Sequence, residues 1–186
     1  HDGRAGTEGG FGYRIVYVNP VRIADAVRTL RERPTPLPFV RETVSRNRTL
    51  GRAVTAAFRS VPEPLALDSL VLRLAEGLIQ GDPNGPPVGA PRRLDHAALA
   101  QGRAFLDSRR AIVRSADLEA VTGLSRYEFA RQFRTLYGTS PYRYSLLRRL
   151  DFARGPLLSG MPLVELAQEA GFADQAHLTR MFRSAY

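Results

Sequence analysis

Two segments in the C-terminal half of this chain repeat one pattern, and this repeat restricts the fold more than any other feature. In residues 116–138 and again in residues 163–186, a short apolar helix is followed by a glycine and then by a second helix. The matching glycines are about 48 residues apart. Apolar residues at helical spacing in both copies predict an α-helical fold for this half of the chain.

The first copy has the local features of a helix-turn-helix unit. Gly123 supplies the turn, because glycine adopts a positive φ at the lowest cost. Ser125 is a favoured N-cap residue, and Glu128 three positions later completes a capping box. The helix that follows has Phe129 and Phe133 on its buried face and a basic opposite face. A short helix, a glycine turn and a second helix with a basic face are typical of helix-turn-helix units.

The second copy repeats both the turn and the apolar pair. Gly171 stands where Gly123 stands in the first copy, and Leu178 and Phe182 replace the two phenylalanines. Asp174 is the predicted N-cap, where its carboxylate also meets the positive end of the helix. The basic residues match as well, since Arg180 and Arg183 correspond to Arg131 and Arg134.

A spacer helix over residues 142–158 separates the two copies. It contains Gly155 and Pro156, and a proline inside a helix costs about 3 kcal/mol and forces a kink. We therefore expect this kink to influence the angle between the copies. The chain ends at Tyr186, so we also expect the apolar side of the second copy to be partly exposed and this copy to be the less stable.

The N-terminal half begins with a strand pattern. Residues 11–18 have the aromatic and β-branched alternation of a strand, which Asn19-Pro20 ends. Residues 21–33 follow with helical spacing of Val21, Ala24, Val27 and Leu30. Because a lone strand is unstable without partners, we expect residues 1–48 to be the tail of a larger β-containing domain.

Residues 49–80 have the pattern of a helical hairpin. Its apolar residues are Leu50, Val54 and Phe58 in the first helix and Leu67, Leu70, Val71, Leu74 and Leu78 in the second. The second set is a narrow leucine-rich stripe, which favours either burial against the chain's own domain or a dimer interface. Residues 81–91 contain four Pro and three Gly and so mark a domain boundary.

Composition excludes several chemistries. The chain has 186 residues, no cysteine and three widely separated histidines, which argues against disulfide frameworks, cysteine-ligated zinc and iron–sulfur clusters. Its net charge of +9 suits a polyanionic partner, although the arginines are spread over both halves. No apolar run approaches the roughly 20 residues of a membrane helix, and no signal peptide opens the chain.

Over residues 95–186 the chain resembles the C-terminal part of AraC-type transcription regulators. The resemblance rests on residues 122–127, 131–134, 137–144, 148–150 and 171–180. A looser similarity, in residues 1–6, 13–20 and 38–40, is to the end of the family's cupin-like sensor domain and the stretch after it. The resemblance implies two helical subdomains that insert recognition helices into successive major-groove segments of DNA.

The resemblance also implies which side chains would face DNA. The groove-facing positions are Arg126, Tyr127, Ala130 and Arg131 on the first recognition helix and Gln175, Ala176, His177, Thr179 and Arg180 on the second. Arg131 and Arg180 are the predicted base-reading residues, because a guanidinium can bond guanine O6 and N7 together. The predicted phosphate contacts are Ser125, Arg134, Arg143 and Arg148.

The predicted organisation combines the repeat, the boundary and the resemblance. Residues 1–80 are the predicted C-terminal remnant of an effector-binding and dimerisation domain, and residues 81–93 are the linker. Residues 94–186 are the predicted DNA-binding domain, without its C-terminal helix. The predicted fold class is mainly α: an all-helical tandem helix-turn-helix domain preceded by the β/helical tail of a truncated cupin-like sensor domain.

The resemblance implies a bacterial, cytoplasmic transcription regulator, of the activator type, and not an enzyme. The expected partners are double-stranded DNA, a small-molecule effector of unknown identity, a second copy through residues 49–80, and RNA polymerase; no cofactor, metal or membrane is expected. One alternative is a truncated sensor or dimerisation module that does not bind DNA. Another is a cupin-type metalloenzyme fragment, prompted by His1-Asp2, but this needs clustered His and Glu ligands that the sequence does not show.

Overall fold

A computed structural model describes residues 8–10, 12–41, 44–58, 63–85 and 93–186. The helices of this described part are α1 (Pro20–Arg31), α2 (Arg48–Ala57), α3 (Pro64–Gln80), α4 (His96–Asp107), α5 (Ser115–Thr122), α6 (Arg126–Tyr137), α7 (Pro141–Leu158), α8 (Leu163–Glu169) and α9 (Gln175–Ala185). The prediction of a mainly α fold is therefore confirmed.

The predicted β tail is not supported. Residues 12–19 form no strand within the described part of the chain. Tyr13 and Tyr17 are 72% and 90% exposed. An extended segment without a partner leaves its backbone groups to water and does not become a sheet. Phe11 and the residues 1–6 of the looser sensor-domain similarity lie outside the described part of the chain.

Asn19 is the N-cap of helix α1, and its side-chain oxygen accepts a hydrogen bond from the Val21 N–H at 2.9 Å. The residues at helical spacing in this helix are not all buried. Val21 is 65% exposed, whereas Ile23 and Ala26 are buried beside Val27. Helical spacing alone allows either face, and the choice depends on where α3 and α6 lie, because α1 packs against both.

Helix α3 is the centre of the N-terminal half and contacts α1, α2, α5, α6 and α7. Its pairing with α2 is close: a Cβ added at Gly77 would lie 2.6 Å from Leu50 Cγ. The Asn47 amide, which caps α2, also donates to the Gly77 carbonyl at 2.9 Å. Val71 and Leu74 of the leucine-rich stripe are buried within the chain itself.

The contacts of α3 cross the predicted domain boundary. Residues 86–92 lie outside the described part, but α3 on one side of them packs against α5, α6 and α7 on the other. Just before this stretch, Arg31 forms a buried ion pair with Asp82 at 3.2 Å, which ties the end of α1 to the turn after α3.

Each helix-turn-helix copy has a small core of its own. In the first, Phe129 and Phe133 are buried with ring centroids 5.3 Å apart, as expected from their spacing. In the second, Leu178 is buried against α7 and α8, while Phe182 is partly buried beside it. Helix α7 contributes to both cores.

Helix α7 continues through Gly155 and Pro156 and ends at Leu158. The proline therefore lies in the last turn, where the helix is about to end. Its missing N–H removes one hydrogen bond there and leaves the rest of the spacer regular.

Candidate nucleic-acid interface

The first helix-turn-helix, α5 and α6, is built by local contacts at its turn. Gly123 has φ of 68°, the left-handed conformation expected for it. The Ser125 hydroxyl oxygen accepts from the Glu128 N–H at 3.4 Å and caps α6. The Glu119 carboxylate accepts from the Arg126 backbone N–H and from its guanidinium, both at 2.8 Å. These bonds set the angle at which α6 leaves the turn.

The second helix-turn-helix, α8 and α9, likewise has a left-handed glycine at its turn and a side-chain N-cap. Gly171 has φ of 72°, and a Cβ there would lie 2.4 Å from the Arg110 carbonyl oxygen. Asp174 caps α9 as predicted, since its carboxylate accepts from the His177 N–H at 2.6 Å. The turn is thus determined both by its own backbone and by the loop before α5.

The outer face of α9 is open to solvent. Gln175, Ala176 and Arg180 are exposed, and Thr179 is partly exposed. With Val164 and Gln168 they line an open depression of about 630 Å³. The salt bridges of the described residues do not include Arg180. This face therefore combines a shallow groove, an amide and an arginine that forms no ion pair within the described part, with the Asp174 cap in the same depression.

His177 lies on a different face of α9 from this exposed group. Its side chain is 2% exposed, and its ring meets Phe172 edge-on at 5.3 Å. Its Nδ1 accepts from the Ala173 N–H at 3.4 Å. Burial lowers the pKa of the imidazole, as do the nearby Arg149 and Arg180 guanidinium groups. In this conformation His177 packs inside the second subdomain, on the buried side of the helix.

The corresponding face of α6 is covered by the N-terminal helices. Tyr127 and Ala130 are 3% and 5% exposed. They belong to one apolar cluster with Ile23, Ala26, Val27, Val71, Leu72, Leu74 and Ala75 from α1 and α3. Two of the positions predicted to face the groove, Tyr127 and Ala130, thus form part of the core in this conformation.

The arginines of α6 are all engaged by carboxylates. Arg131 binds Glu128 at 2.7 Å and Glu32, just after α1, at 3.5 Å. Arg134 is paired with Glu76 of α3. Helices α6 and α9 therefore differ sharply in their charge environment, although their arginines correspond in the sequence repeat.

The Tyr127 hydroxyl has no hydrogen-bond partner among the described residues, although it is buried. Desolvation, followed by the charge of the neighbouring Asp68, raises the pKa of this phenol to about 12. Asp68, a residue of α3, is buried against α5 and accepts a hydrogen bond from the Ser115 hydroxyl. Its own pKa is raised above the usual value, mainly by burial.

The predicted phosphate-contacting arginines of α7 are exposed. Arg143 lies in the first turn of the helix, and Arg148 forms a half-exposed ion pair with Asp107 at 3.1 Å. The Ser125 hydroxyl serves as the α6 cap. Together with α9 these arginines supply positive charge on the accessible side of the second half.

Arg149, next to Arg148, is a structural residue. It is 1% exposed, binds both carboxylate oxygens of Glu63 at 2.9 Å, and donates to the Ala170 carbonyl at 3.0 Å. The sequence did not predict the pair of Arg149 and Glu63. Nor did it predict that Glu32 and Glu76 pair with the arginines of α6. Arg149 and Glu63 are 86 residues apart, so no local pattern reports them.

The structure holds no sign of the metalloenzyme alternative in its described part. Among the described residues, no three His, Cys, Asp or Glu side chains come together as a metal-binding group. His1 and Asp2, which prompted that alternative, lie outside these residues. Within the described ranges, none of the helices has the length and apolarity that crossing a bilayer requires.

Comparison with known proteins shows what the C-terminal part is similar to. Residues 118–186 match a family model described as a helix-turn-helix domain. The virulence regulon transcriptional activator VirF of Yersinia enterocolitica is 37% identical over 65 residues, which are 34% of this chain and 24% of that protein. The HTH-type transcriptional regulator ExsA of Pseudomonas aeruginosa is 34% identical over 71 residues, 38% of this chain and 26% of that protein.

The probable transcriptional regulator LumQ of Photobacterium leiognathi is 33% identical over 72 residues, 38% of this chain and 29% of that protein. The chain thus spans about a quarter of the length of the curated relatives it matches. No solved structure matches the chain. The shared region is the helix-turn-helix half, and the cupin-like sensor part finds no support in these matches.

Proposed function

We propose that the chain is a sequence-specific DNA-binding transcription regulator of the AraC type, because residues 118–186 match a helix-turn-helix family model and the chain is similar to named transcription regulators. The observation that carries the proposal is the exposed face of α9, where Gln175 and Arg180 line an open depression and Arg180 forms no ion pair among the described residues. A helix of this kind, held by a glycine turn and an aspartate cap, suits insertion into a major groove.

The chemistry of this face supports base reading. The Arg180 guanidinium can bond guanine O6 and N7 together, and the Gln175 amide can pair with adenine. Ala176 and Thr179 are small beside them and leave room for a thymine methyl group. In this proposal His177 does not contact DNA. It packs on the buried side of α9 and fixes the orientation of the helix.

The first recognition helix supplies the second contact of the proposed function. Arg131 is its base-reading residue, with Tyr127 and Ala130 beside it and Arg126 at the edge of the groove. Successive major-groove segments on one side of DNA are about 34 Å apart, and α7, of 18 residues, is the spacer. Arg134, Arg143, Arg148 and Ser125 contact phosphates, which adds affinity without sequence information.

The proposal extends to the partners that the resemblance implies. They are a small-molecule effector, a second copy of the chain and RNA polymerase. For the second copy, the available part of residues 49–80 is the side of α3 with Leu67 and Leu70, which lines an open groove with Phe58. The rest of the leucine-rich stripe is engaged within the chain.

The test is binding-site selection from random duplexes, followed by fluorescence anisotropy on the selected site. We expect selection of a defined sequence, and we expect Arg180→Ala to abolish the preference while circular dichroism shows an unchanged helix content. Exposed Arg109→Ala, on the loop after α4, is the matched control for loss of one positive charge. Selection of no sequence by the parent chain would favour the alternative, a sensor or dimerisation module that does not bind DNA.

A further inference from the structure

The two recognition helices are in opposite states: α9 is open and α6 is covered. We propose that α1, Glu32 and α3, here called the cover, are an autoinhibitory element that competes with DNA for the first recognition helix. This inference rests on the proposed function and adds its regulation. In the closed state only α9 is available to DNA, and release of the cover makes the second groove contact available.

The apolar part of the cover occupies the surface that would face the bases. Tyr127 and Ala130 lie among Ile23, Ala26 and Val27 of α1 and the apolar residues of α3. A duplex and the cover cannot both contact these two side chains. The competition is therefore steric, and it acts at the residues assigned to sequence reading.

The charged part of the cover is negative, as DNA is. Glu32 reaches Arg131 at 3.5 Å, and Glu76 is paired with Arg134. Both carboxylates come from elements distant in sequence, 99 and 58 residues away. They place negative charge on the guanidinium groups that would meet guanine and phosphate, so that DNA must displace them to bind.

The closed interface also has features that keep it from being a permanent core. The buried Tyr127 hydroxyl is without a hydrogen-bond partner in the described residues, and an unsatisfied buried polar group is destabilising. Asp68 lies buried between α3 and α5. Opening the cover gives both groups access to water, so the interface is suited to reversible release.

A reversible lock tests this inference directly, because the chain has no cysteine of its own. Asp68 and Ser115 are in hydrogen-bond contact between α3 and α5, and neither belongs to α6. The double variant Asp68→Cys/Ser115→Cys holds the cover closed when it is oxidised and frees it when it is reduced. Each single variant is a control for the effect of the oxidant.

The probe is the fluorescein-labelled duplex obtained by binding-site selection with the reduced double variant. We expect oxidation to weaken binding by about tenfold or more, because the apparent Kd scales inversely with the fraction of open molecules. In the oxidised protein, Arg180→Ala should weaken the residual binding while Arg131→Ala has no effect. In the reduced protein both substitutions should weaken binding.

A second pair of variants does not depend on disulfide formation. Glu32→Gln/Glu76→Gln removes both carboxylates of the cover and keeps the size of the side chains. We expect binding about two- to fivefold tighter than that of the parent chain, the range that loss of partly exposed ion pairs converts to. Exposed Glu165→Gln/Glu169→Gln on α8 is the matched control for the change in net charge by two units, with Kd close to that of the parent.

The outcomes separate the inference from the proposed function. If the oxidised and reduced proteins bind the duplex equally and Glu32→Gln/Glu76→Gln equals the parent, the cover is not inhibitory and the inference is overturned while the function stands. If none of these proteins binds any duplex, both are overturned. Tighter binding by the reduced protein and by the glutamine variant supports both.

Discussion

Two buried acidic residues of the N-terminal half, Asp68 and Glu63, mark where it meets the helix-turn-helix units. Glu63 is matched by Arg149, whereas Asp68 has a hydroxyl partner and more distant charges. The groups that act on Asp68 are Ser115 and Arg126, Arg22 and Glu119. A buried charge without a full counter-charge costs free energy, while a matched pair becomes costly when one member is removed.

At Asp68 we expect a stability that depends on pH. Burial raises the pKa of this carboxyl in the folded chain. The carboxyl therefore favours folding at pH values below its ordinary pKa of 3.8, and this contribution to stability is lost as the pH rises through the folded pKa. At neutral pH the ionised group is buried at a cost. Asp68→Asn should therefore increase the free energy of unfolding at pH 7, with a smaller gain at pH 4, as measured by urea titration.

Ser115→Ala is the control for this prediction. It removes the hydrogen bond that lowers the Asp68 pKa, so it should destabilise the chain more at pH 7 than at pH 4. If Asp68→Asn lowers stability equally at both pH values, the carboxylate is stabilising where it lies and the prediction fails.

At Arg149 we expect one of the largest single losses of stability. Arg149→Met leaves the Glu63 carboxylate buried without its counter-charge and removes donors from the Ala170 and Gly171 carbonyls. Breaking a buried ion pair by removing one partner costs about 3–5 kcal/mol.

A double-mutant cycle with Glu63→Gln measures the coupling, since the loss in the double variant should be smaller than the sum of the single losses. Additive losses would mean that the two side chains do not act as a pair. Exposed Arg148→Met is the matched control, and its half-exposed ion pair with Asp107 should contribute about 1 kcal/mol or less.

At the scale of the elements, the two turn glycines offer a matched comparison. Gly123 and Gly171 share a left-handed φ, of 68° and 72°. A Cβ at Gly123 meets nothing within 4 Å, whereas at Gly171 it would lie 2.4 Å from the Arg110 carbonyl oxygen. The same substitution therefore adds strain at one turn and both strain and a backbone clash at the other.

Gly123→Ala should lower the free energy of unfolding by about 1–2 kcal/mol, the usual cost of a left-handed conformation for an L-residue. Gly171→Ala should cost clearly more, because the Arg110 loop must also move. Thermal and urea unfolding of the two variants side by side measure the difference. Equal losses would mean that the Arg110 loop yields freely.

The sequence predicted the helix-turn-helix elements well and the N-terminal elements less well. The caps at Ser125 and Asp174 and the pair Phe129 and Phe133 depend on residues within one helical turn, so local pattern is sufficient. The strand predicted over residues 11–18 failed because a strand depends on a partner, which pattern cannot supply. The buried face of α1 depends likewise on neighbours distant in sequence.

At the scale of the whole molecule, the charge that a chain presents to DNA differs from its net charge. The parent has a net charge of +9, but carboxylates of the same chain pair with Arg126, Arg131 and Arg134. Of the arginines assigned to DNA contacts, Arg143 and Arg180 are exposed in the closed state and form no ion pair among the described residues. Binding in that state should therefore depend less on salt than the number of arginines suggests.

We expect the salt dependence of DNA binding to report the state of the cover. Each phosphate contact contributes a slope of about −0.9 to log Kobs against log salt on duplex DNA. Glu32→Gln/Glu76→Gln should therefore have a steeper slope than the parent, by about one unit for each phosphate contact that α6 adds. Anisotropy titrations between about 50 and 200 mM salt measure it. Parallel slopes would mean that α6 adds no phosphate contact.

By itself the sequence determined the helices of the C-terminal half and their glycine turns and caps. These features depend on residues a few positions apart, and local backbone and packing preferences act at that range. Only the tertiary structure decided which of α6 and α9 is accessible. That choice comes from the apolar faces of α1 and α3 and from Glu32 and Glu76, whose carboxylates reach α6 across 99 and 58 residues of chain. Packing and ion pairing over such separations exist only in the folded molecule, so no local pattern distinguishes the covered helix from the open one.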